Sequence, residues 1–330
     1  MIAVAQRIPF SLFTYSIIGL SVLIGGVYTS LAQSFPSQAN VDATSAFIRG
    51  RLHDPSIRAN VNLVLVDVTV TDREGRIVSG LNVSDFSVLD NKRERKIRYF
   101  SSEDSPISVA VLLDSSSSMW QYFDQVRAAA LEFFRESNPQ DEFAVVKFAD
   151  EPSVVVDFSD PIAELQPILW SIEPKGYTAL SDAIYMGANY IRHARYAKKA
   201  ILLISDGGDN HSRYTQSEVK KMLEEADVQV YAIDIFKAYP KTVEEKSGLL
   251  WLDEVTSASG GRTFLVHDAT EIRAAVNQIS LELRNQYVLG FVPEKMETST
   301  KWHKLNVKLN CAAHGKLRVY AKKGYYGATN

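Results

Sequence analysis

"SVAVLLDSSSSMW", residues 108–120, is the stretch on which the reading of this chain turns. Its apolar run, Val109 to Leu113, ends abruptly in Asp114, and four serines follow before Met119. A short continuous apolar run bounded by turn residues has the pattern of a strand buried on both faces. Asp and Ser are also ordinary turn residues. The stretch by itself therefore leaves two readings open: a surface turn, or a cation site in which one carboxylate stands beside a row of hydroxyls.

Downstream, apolar strands alternate with helical patterns, the signature of a mostly parallel sheet covered on both faces. "ISVAVLLD" is the first buried strand, and the next helix carries Phe123, Val126, Ala130 and Phe133 on one face. "EFAVVKFA" and, after Pro152, "SVVVDF" are close enough for an antiparallel pair. Leu180, Ile184, Gly187 and Ile191 mark a helix from Leu180 to about Ala194, and "KKAILLISDG", the most apolar strand, is expected at the sheet centre. Thr215 and Glu218 make a capping box that opens "QSEVKKMLEEA". "VQVYAIDIF", "GLLWLDEVTSAS" and "GGRTFLV" read as strand, helix and strand, and Ile272, Val276, Ile279 and Leu283 mark the last helix. Ligands of such open doubly wound sheets sit outside the carboxyl ends of the strands.

Three loops at that end offer oxygen donors: Asp114, Ser116 and Ser118 in the first, Thr178 in "KGYTALSD", and Asp206 in "ISDGGDN". With two anionic and three neutral oxygens and no His or Cys, the set suits Mg²⁺ or Mn²⁺ rather than Zn²⁺. A divalent ion held by only two carboxylates retains an affinity for one more anion.

At these residues the chain resembles a von Willebrand factor type A domain, over about residues 105–285. D-x-S-x-S after the first strand, a threonine in a G-x-T loop and S-D-G after the fourth strand are similar to that family's metal-ion-dependent adhesion site. The resemblance implies that Asp114, Ser116, Ser118, Thr178 and Asp206 are the five ligand positions. It implies direct bonds from Ser116 and Ser118, a direct bond from Thr178 in the ligand-engaged state, and water-mediated roles for Asp114 and Asp206. One departure is Ser117, where the family usually has Gly. Asp209 reads either as support for the ligands or as a turn residue.

The flanks, "VDVTVTDREGRIVSGLNVSDFSVLDNKRERKIRYF" before this region and "YVLGFVPE", "WHKLNVKLN" and "LRVYAKKGYY" after it, are similar to flanks in a bacterial family of secreted type-A-domain-related proteins. Their own patterning is that of strands: Leu305, Val307 and Leu309 alternate with polar residues, as do Leu317, Val319 and Ala321. An isolated hairpin is marginal in water, so the two flanks are expected to join in one small β-sandwich with the α/β domain inserted between its halves, the alternative being two separate β appendages. The basic run "KRERK", residues 92–96, is expected in a solvated hairpin turn. The last helix passes almost directly into "QYVLGFV". The resemblance therefore raises a choice between a helix whose movement pulls on the sandwich and a rigid junction.

The expected boundaries are 1–32 for a secretory signal, 33–58 for a tether, 59–104 and 286–327 for the two sandwich halves, and 105–285 for the α/β domain. The segment 1–32 has one early cation, Arg7, then a long uncharged apolar stretch and the small pair Ser30 and Ala32. It is long enough that an uncleaved anchor remains the alternative, and either way the chain is placed outside the cytoplasm, secreted or at the cell envelope. Membrane contact is expected only if that segment is retained. Cys311 is the only cysteine, which excludes an intrachain disulfide. A net charge of −3 gives no reason to expect nucleic acid.

These features favour a non-enzymatic, metal-dependent protein-binding or adhesion module whose cation is completed by an Asp or Glu carboxylate of a partner. Tyr122, Tyr177 and Tyr214, on loops or helix starts near the donors, are candidates for the contact rim. The alternative is a structural or assembly domain in which the metal serves stability. A Mg²⁺-dependent phosphohydrolase with an aspartyl nucleophile would need an acid–base group where Ser116 stands. The chain also lacks the G-x-S-x-G and G-x-x-x-x-G-K-[ST] patterns, and its six histidines have no metal-type spacing.

Overall fold

The computed structural model describes residues 63–158, 164–235, 243–293, 301–310 and 316–327, all of them inside one compact unit, Asn60–Asn330. The expected signal or anchor, the tether and Cys311 lie outside the described residues.

The first flank contributes β1 (Val64–Thr71), β2 (Phe86–Asp90), β3 (Arg93–Arg95) and β4 (Ile97–Ser101). Asn91 and Lys92 join β2 to β3 with φ of 48° and 69°, the paired left-handed conformation of a two-residue hairpin turn. The basic run thus lies in a hairpin with mostly exposed side chains, as its composition implies.

The central region then runs β5 (Ser108–Asp114), α1 (Phe123–Glu136), β6 (Glu142–Phe148), β7 (Pro152–Val156), α2 (Leu165–Ser171), α3 (Leu180–Ile191), β8 (Lys199–Ser205), α4 (Gln216–Ala226), β9 (Gln229–Ile235), α5 (Val243–Ser259), β10 (Thr263–Val266) and α6 (Ala269–Arg284). Six strands form one sheet in the order β10-β9-β8-β5-β6-β7. Only the pair β6/β7 is antiparallel. The two most apolar strands, β5 and β8, are the two central ones, where both faces are covered along the strand.

Alternation along β5 divides the interior in two. Val109, Val111 and Leu113 join a core with α1, α2 and α6, while Ala110 and Leu112 join the opposite core with α3, α4 and α5. Gly187 of α3 lets that helix approach β5, since a Cβ there would stand 3.0 Å from Leu112 Cδ1. Helix α2 has no counterpart among the elements expected from the sequence, where Pro167 disguises it. A proline in the first turn removes no intrahelical bond, and Leu165 and Leu169 are buried.

The second flank supplies β11 (Tyr287–Phe291), β12 (Trp302–Leu309), β13 (Arg318–Ala321) and β14 (Gly324–Tyr326). It does not form a sheet of its own. The strands interleave with those of the first flank as β13-β1-β11-β4 and β14-β12-β2-β3. Val66, Val68, Val70, Phe86 and Val88 from one flank share a core with Tyr287, Leu289, Phe291, Leu305 and Val307 from the other. The mixed α/β sheet is therefore inserted in a sandwich built from both flanks.

The junction is dense. Only Asn285 and Gln286 separate α6 from β11, and the Gln286 amide donates to Thr69 Oγ1 at 3.2 Å and Gln229 Oε1 at 2.8 Å. Arg284 pairs with Asp141 and with Asp104 (3.1 Å). Arg262, just before β10, pairs with the fully buried Glu282 of α6, and its guanidinium lies over the rings of Phe264 and, from β13, Tyr320. Among the described residues no helix is long and apolar enough to cross a membrane.

Candidate metal centre

The carboxyl end of β5 delivers Asp114 into the interior, where it is fully buried. Its Oδ1 accepts the Ser116 backbone N–H at 2.9 Å and its Oδ2 accepts the Ser205 hydroxyl, from the end of β8, at 2.6 Å. Ser205 Oγ in turn accepts the Gly207 N–H at 3.1 Å. Burial first, and then the charge of Asp206, push the Asp114 carboxyl up from 3.8 to about 7, against the opposing hydrogen bonds from Ser205 and Ser116.

The serine run turns over a single 3₁₀ turn, Ser117–Met119. Met119 is buried and anchors it, while Ser117, Ser118 and Trp120 are exposed. Ser116 Oγ and Ser118 Oγ are 3.0 Å apart, so one hydroxyl donates to the other. Ser117 is not among the residues with positive φ, so its side chain introduces no backbone strain.

The loop bearing Thr178 is tied to both neighbours. The Ser117 N–H donates to Gly176 O at 3.1 Å and the Lys175 N–H to Ser115 O at 2.8 Å. Gly176 has φ +87°, and a Cβ there would come within 2.7 Å of the Asp150 carboxylate. That carboxylate accepts the Tyr177 N–H at 2.7 Å, so glycine is needed for the turn and for the approach. The loop after β8 completes the link: Asn210 and His211 donate their N–H groups to Thr178 O at 3.0 and 3.1 Å, and Asn210 Oδ1 accepts the Thr178 N–H at 2.9 Å.

All three donor loops thus meet at one end of the sheet. Asp114, Ser116 and Ser118 are linked directly by hydrogen bonds. Asp206 bears on Asp114 through its charge, and Thr178 is bound to the Asp206 loop through Asn210 and His211. The donor chemistry fits a hard divalent cation: a carboxylate raised by burial and then by a second carboxylate is the electrostatic arrangement that a positive charge relieves, and the Ser205, Ser116 and Ser118 hydroxyls belong to the same hydrogen-bonded cluster. Among the described residues no group of three or more His, Cys, Asp or Glu is placed to hold a metal, so a cation here depends on the hydroxyls.

Asp209 has a definite job. Its Oδ2 accepts the backbone N–H and the hydroxyl of Ser181, at 3.1 and 2.7 Å, near the start of α3. It binds free donors of a helix start from another loop. Asp182, which sequence reasoning passed over, is buried and accepts the backbone N–H groups of Arg213 and Tyr214 at 2.8 and 2.9 Å. Between them, these two carboxylates hold the segment after Asp206 against α3.

The three tyrosines differ. Tyr177 is 63% exposed and its ring stacks on His211 at 5.3 Å. Tyr214 is stacked on Tyr185 at 3.8 Å. Tyr122 is half-buried against the core at the start of α1. The aromatic that sequence reasoning missed is Trp120, at 72% the more exposed of the two tryptophans that face solvent. Its place two residues after the serine run was the available signal.

Behind the site, Gly248 of α5 packs on Gly207, and a Cβ there would overlap the Gly207 carbonyl. Gly248→Ala is expected to destabilise the fold by about 3 kcal/mol, the upper range of overpacking. Gly208→Ala, whose Cβ would meet only Asp206 Oδ1 at 3.6 Å, is expected to stay within about 0.5 kcal/mol of the parent. Urea unfolding of both variants checks this, and equal losses would refute the packing argument.

Residues 109–208 match the model of the von Willebrand factor type A domain. No curated protein matches the chain. Among solved structures it is similar to the vWF domain of the type V pili tip protein Mfa5 from Porphyromonas gingivalis, at 13% identity over 54% of this chain and 95% of that one, with a TM-score of 0.45. It is also similar to an aerotolerance-related membrane protein from Bacteroides fragilis carrying multiple mutations to serines, at 17% identity over 54% and 98% of the two chains, with a TM-score of 0.44. A third similar structure is proximal thread matrix protein 1 of the mussel byssus with a zinc-occupied MIDAS motif; identity is 17%, coverage 59% of this chain and 49% of that one, and TM-score 0.44. With the parallel sheet, its two helical layers and the three converging loops, the family match leads to one conclusion: the chain carries a von Willebrand factor type A domain, matched over residues 109–208.

Proposed function

We propose that the protein is a non-enzymatic, metal-dependent binding module acting outside the cytoplasm. Asp114, Ser116, Ser118, Thr178 and Asp206 would hold a Mg²⁺ or Mn²⁺ ion, and an Asp or Glu carboxylate of a partner protein would complete its shell. The single observation that carries this reading is the convergence of three donor loops on one end of the sheet: the fully buried Asp114 carboxylate accepts from Ser116 and Ser205, the Ser116 and Ser118 hydroxyls lie 3.0 Å apart, and Thr178 is bonded to the loop that follows Asp206. Hydroxyl donors leave a bound cation electrophilic, where further carboxylates would neutralise it. The boundaries in the chain follow the same reading: a secretory signal or anchor over 1–32, a tether 33–58, and the domain at 105–285 carried between sandwich halves at 59–104 and 286–327.

Hydrolysis is disfavoured by the same geometry. The position where an aspartyl phosphohydrolase needs its acid–base carboxyl is Ser116, whose hydroxyl is engaged with Ser118 and does not exchange protons usefully near neutral pH.

Calorimetric titration of Mg²⁺ and Mn²⁺, with and without acetate, tests the proposal. Saturable binding by the parent and its loss in Ser116→Ala/Ser118→Ala are expected. Absence of binding under every one of these conditions would overturn it. Metal binding with no captured protein, together with a metal-dependent rise in thermal stability, would favour a domain whose metal serves assembly.

A further inference from the structure

We infer that the partner's carboxylate is flanked, within one residue, by large apolar side chains, and that Trp120 and Tyr177 receive them. This rests on the metal reading above and adds to it the chemistry around the carboxylate. Trp120 is 72% exposed and Tyr177 63% exposed. Each adjoins a candidate ligand: Trp120 lies two residues after Ser118, and Tyr177 immediately precedes Thr178.

Both rings stand on anchored backbone. The Trp120 N–H donates to Ser117 O at 3.4 Å, and the preceding residue, Met119, is buried in the core. The Tyr177 N–H is held by Asp150, and one face of its ring is covered by His211. The two loops are joined to each other by the Ser117 N–H and Gly176 O. Two large apolar side chains are thus presented to solvent beside the donors on a support already ordered.

Rings on ordered backbone bury much area with few torsions to immobilise, which is why Trp and Tyr serve as interface anchors. The cation supplies attraction for an anion, and the rings, one on each of two bonded donor loops, supply apolar surface close by. A partner loop with a lone acid among glycines would leave both rings wet. Stacking on a sugar is the weaker fit, because His211 already occupies one Tyr177 face and a neutral sugar offers the cation no charge.

The test uses the whole protein with 5 mM MnCl₂, on the order of a saturating concentration for a weak site, and three peptides acetylated and amidated at their ends. These are Gly-Phe-Asp-Phe-Gly, Gly-Gly-Asp-Gly-Gly and Gly-Phe-Asn-Phe-Gly. The Phe-Asp-Phe peptide is expected to bind about tenfold tighter than the glycine peptide. That advantage is expected to vanish in Trp120→Ala and to shrink in Tyr177→Ala, while Mn²⁺ binding itself is unchanged in both. Equal affinity of the two Asp peptides would overturn the inference and leave the metal reading standing. Binding of the Asn peptide as tight as that of the Asp peptide, or binding that survives chelation, would overturn it too. Failure of Mn²⁺ to bind at all would remove the metal reading and this inference with it.

Discussion

In the presence of a chelator, an Asp114→Asn protein is expected to be more stable than the parent at pH 7.5, and adding Mg²⁺ is expected to reverse the order. The first half follows from burial. Asp114 is fully buried and its carboxyl is pushed from 3.8 up to about 7. Its ionisation is therefore harder in the folded chain than in the unfolded one.

The folded state consequently binds more protons than the unfolded state between pH 3.8 and about 7. The contribution of this group to stability is present at the acid end, falls through that window and is flat above it. The whole of it is on the order of 4 kcal/mol. Asparagine keeps the oxygen that accepts the Ser116 N–H but carries no charge to desolvate. A gain of about 1–3 kcal/mol near neutral pH is expected, smaller than the full figure because a buried amide also loses water.

The second half follows from linkage. A ligand at one hundred times its dissociation constant stabilises the native state by about 2.7 kcal/mol, and only the parent should respond to Mg²⁺. Thermal unfolding of both proteins from pH 5 to 8, with chelator and with Mg²⁺, checks both halves. A variant less stable than the parent in chelator would mean that Asp114 serves mainly as a hydrogen-bond acceptor. A variant that still responds to Mg²⁺ would remove Asp114 from the proposed ligand set.

Arg262→Met is expected to cost about 3–5 kcal/mol, the usual consequence of breaking one partner out of a buried pair. Glu282 has no exposed side-chain surface. Burial pushes its carboxyl up, while Arg262, and a 3.1 Å hydrogen bond from Gln278, draw it down. Without the guanidinium, the carboxyl is left with a neutral amide donor, and taking up a proton becomes its easiest escape. The loss should therefore shrink as pH falls toward the acid range, where the variant's Glu282 is already protonated.

The double variant Arg262→Met/Glu282→Met is expected to recover most of the loss, because the desolvation cost disappears with the charge. Chemical denaturation of the three proteins at pH 7.5 and pH 5 decides the matter. A loss below about 1 kcal/mol in the single variant would mean that the pair is solvated in solution. The pair matters beyond stability: Arg262 touches both α6, through Glu282, and the sandwich, through Tyr320. Arg284, in the last turn of α6, pairs with Asp141 and Asp104, so both ends of this junction are tied by ion pairs.

Much of this architecture was legible in the residues. β5 and β8 are recognisable as central because a strand covered on both faces needs no polar residues along its length, and "AVLLD" and "AILLIS" have none before their final positions. Thr215 and Glu218 announce α4 through a capping box, and the Thr215 hydroxyl accepts the Glu218 N–H at 3.3 Å. The loops that bring Asp114 and Asp206 to one end follow from strand order, since parallel strands all end on the same side of the sheet, and Thr178 reaches that end just before α3, the helix that leads back to β8. Helix α2 was hidden because Leu165 and Leu169 hold it by packing across the core rather than by any local helical signal.

Sequence by itself determined the alternation of strands and helices, the oxygen-bearing residues of the three converging loops and the strand character of both flanks, because each is a short-range pattern of residue types. Tertiary structure alone decided the interleaving of the flanks, in which β1 lies between β13 and β11. It alone placed Asp209 at the start of α3 and left Trp120, rather than Tyr122, in solvent. These outcomes depend on contacts between segments far apart in the chain. Periodicity reports which face of an element is buried but not what buries it.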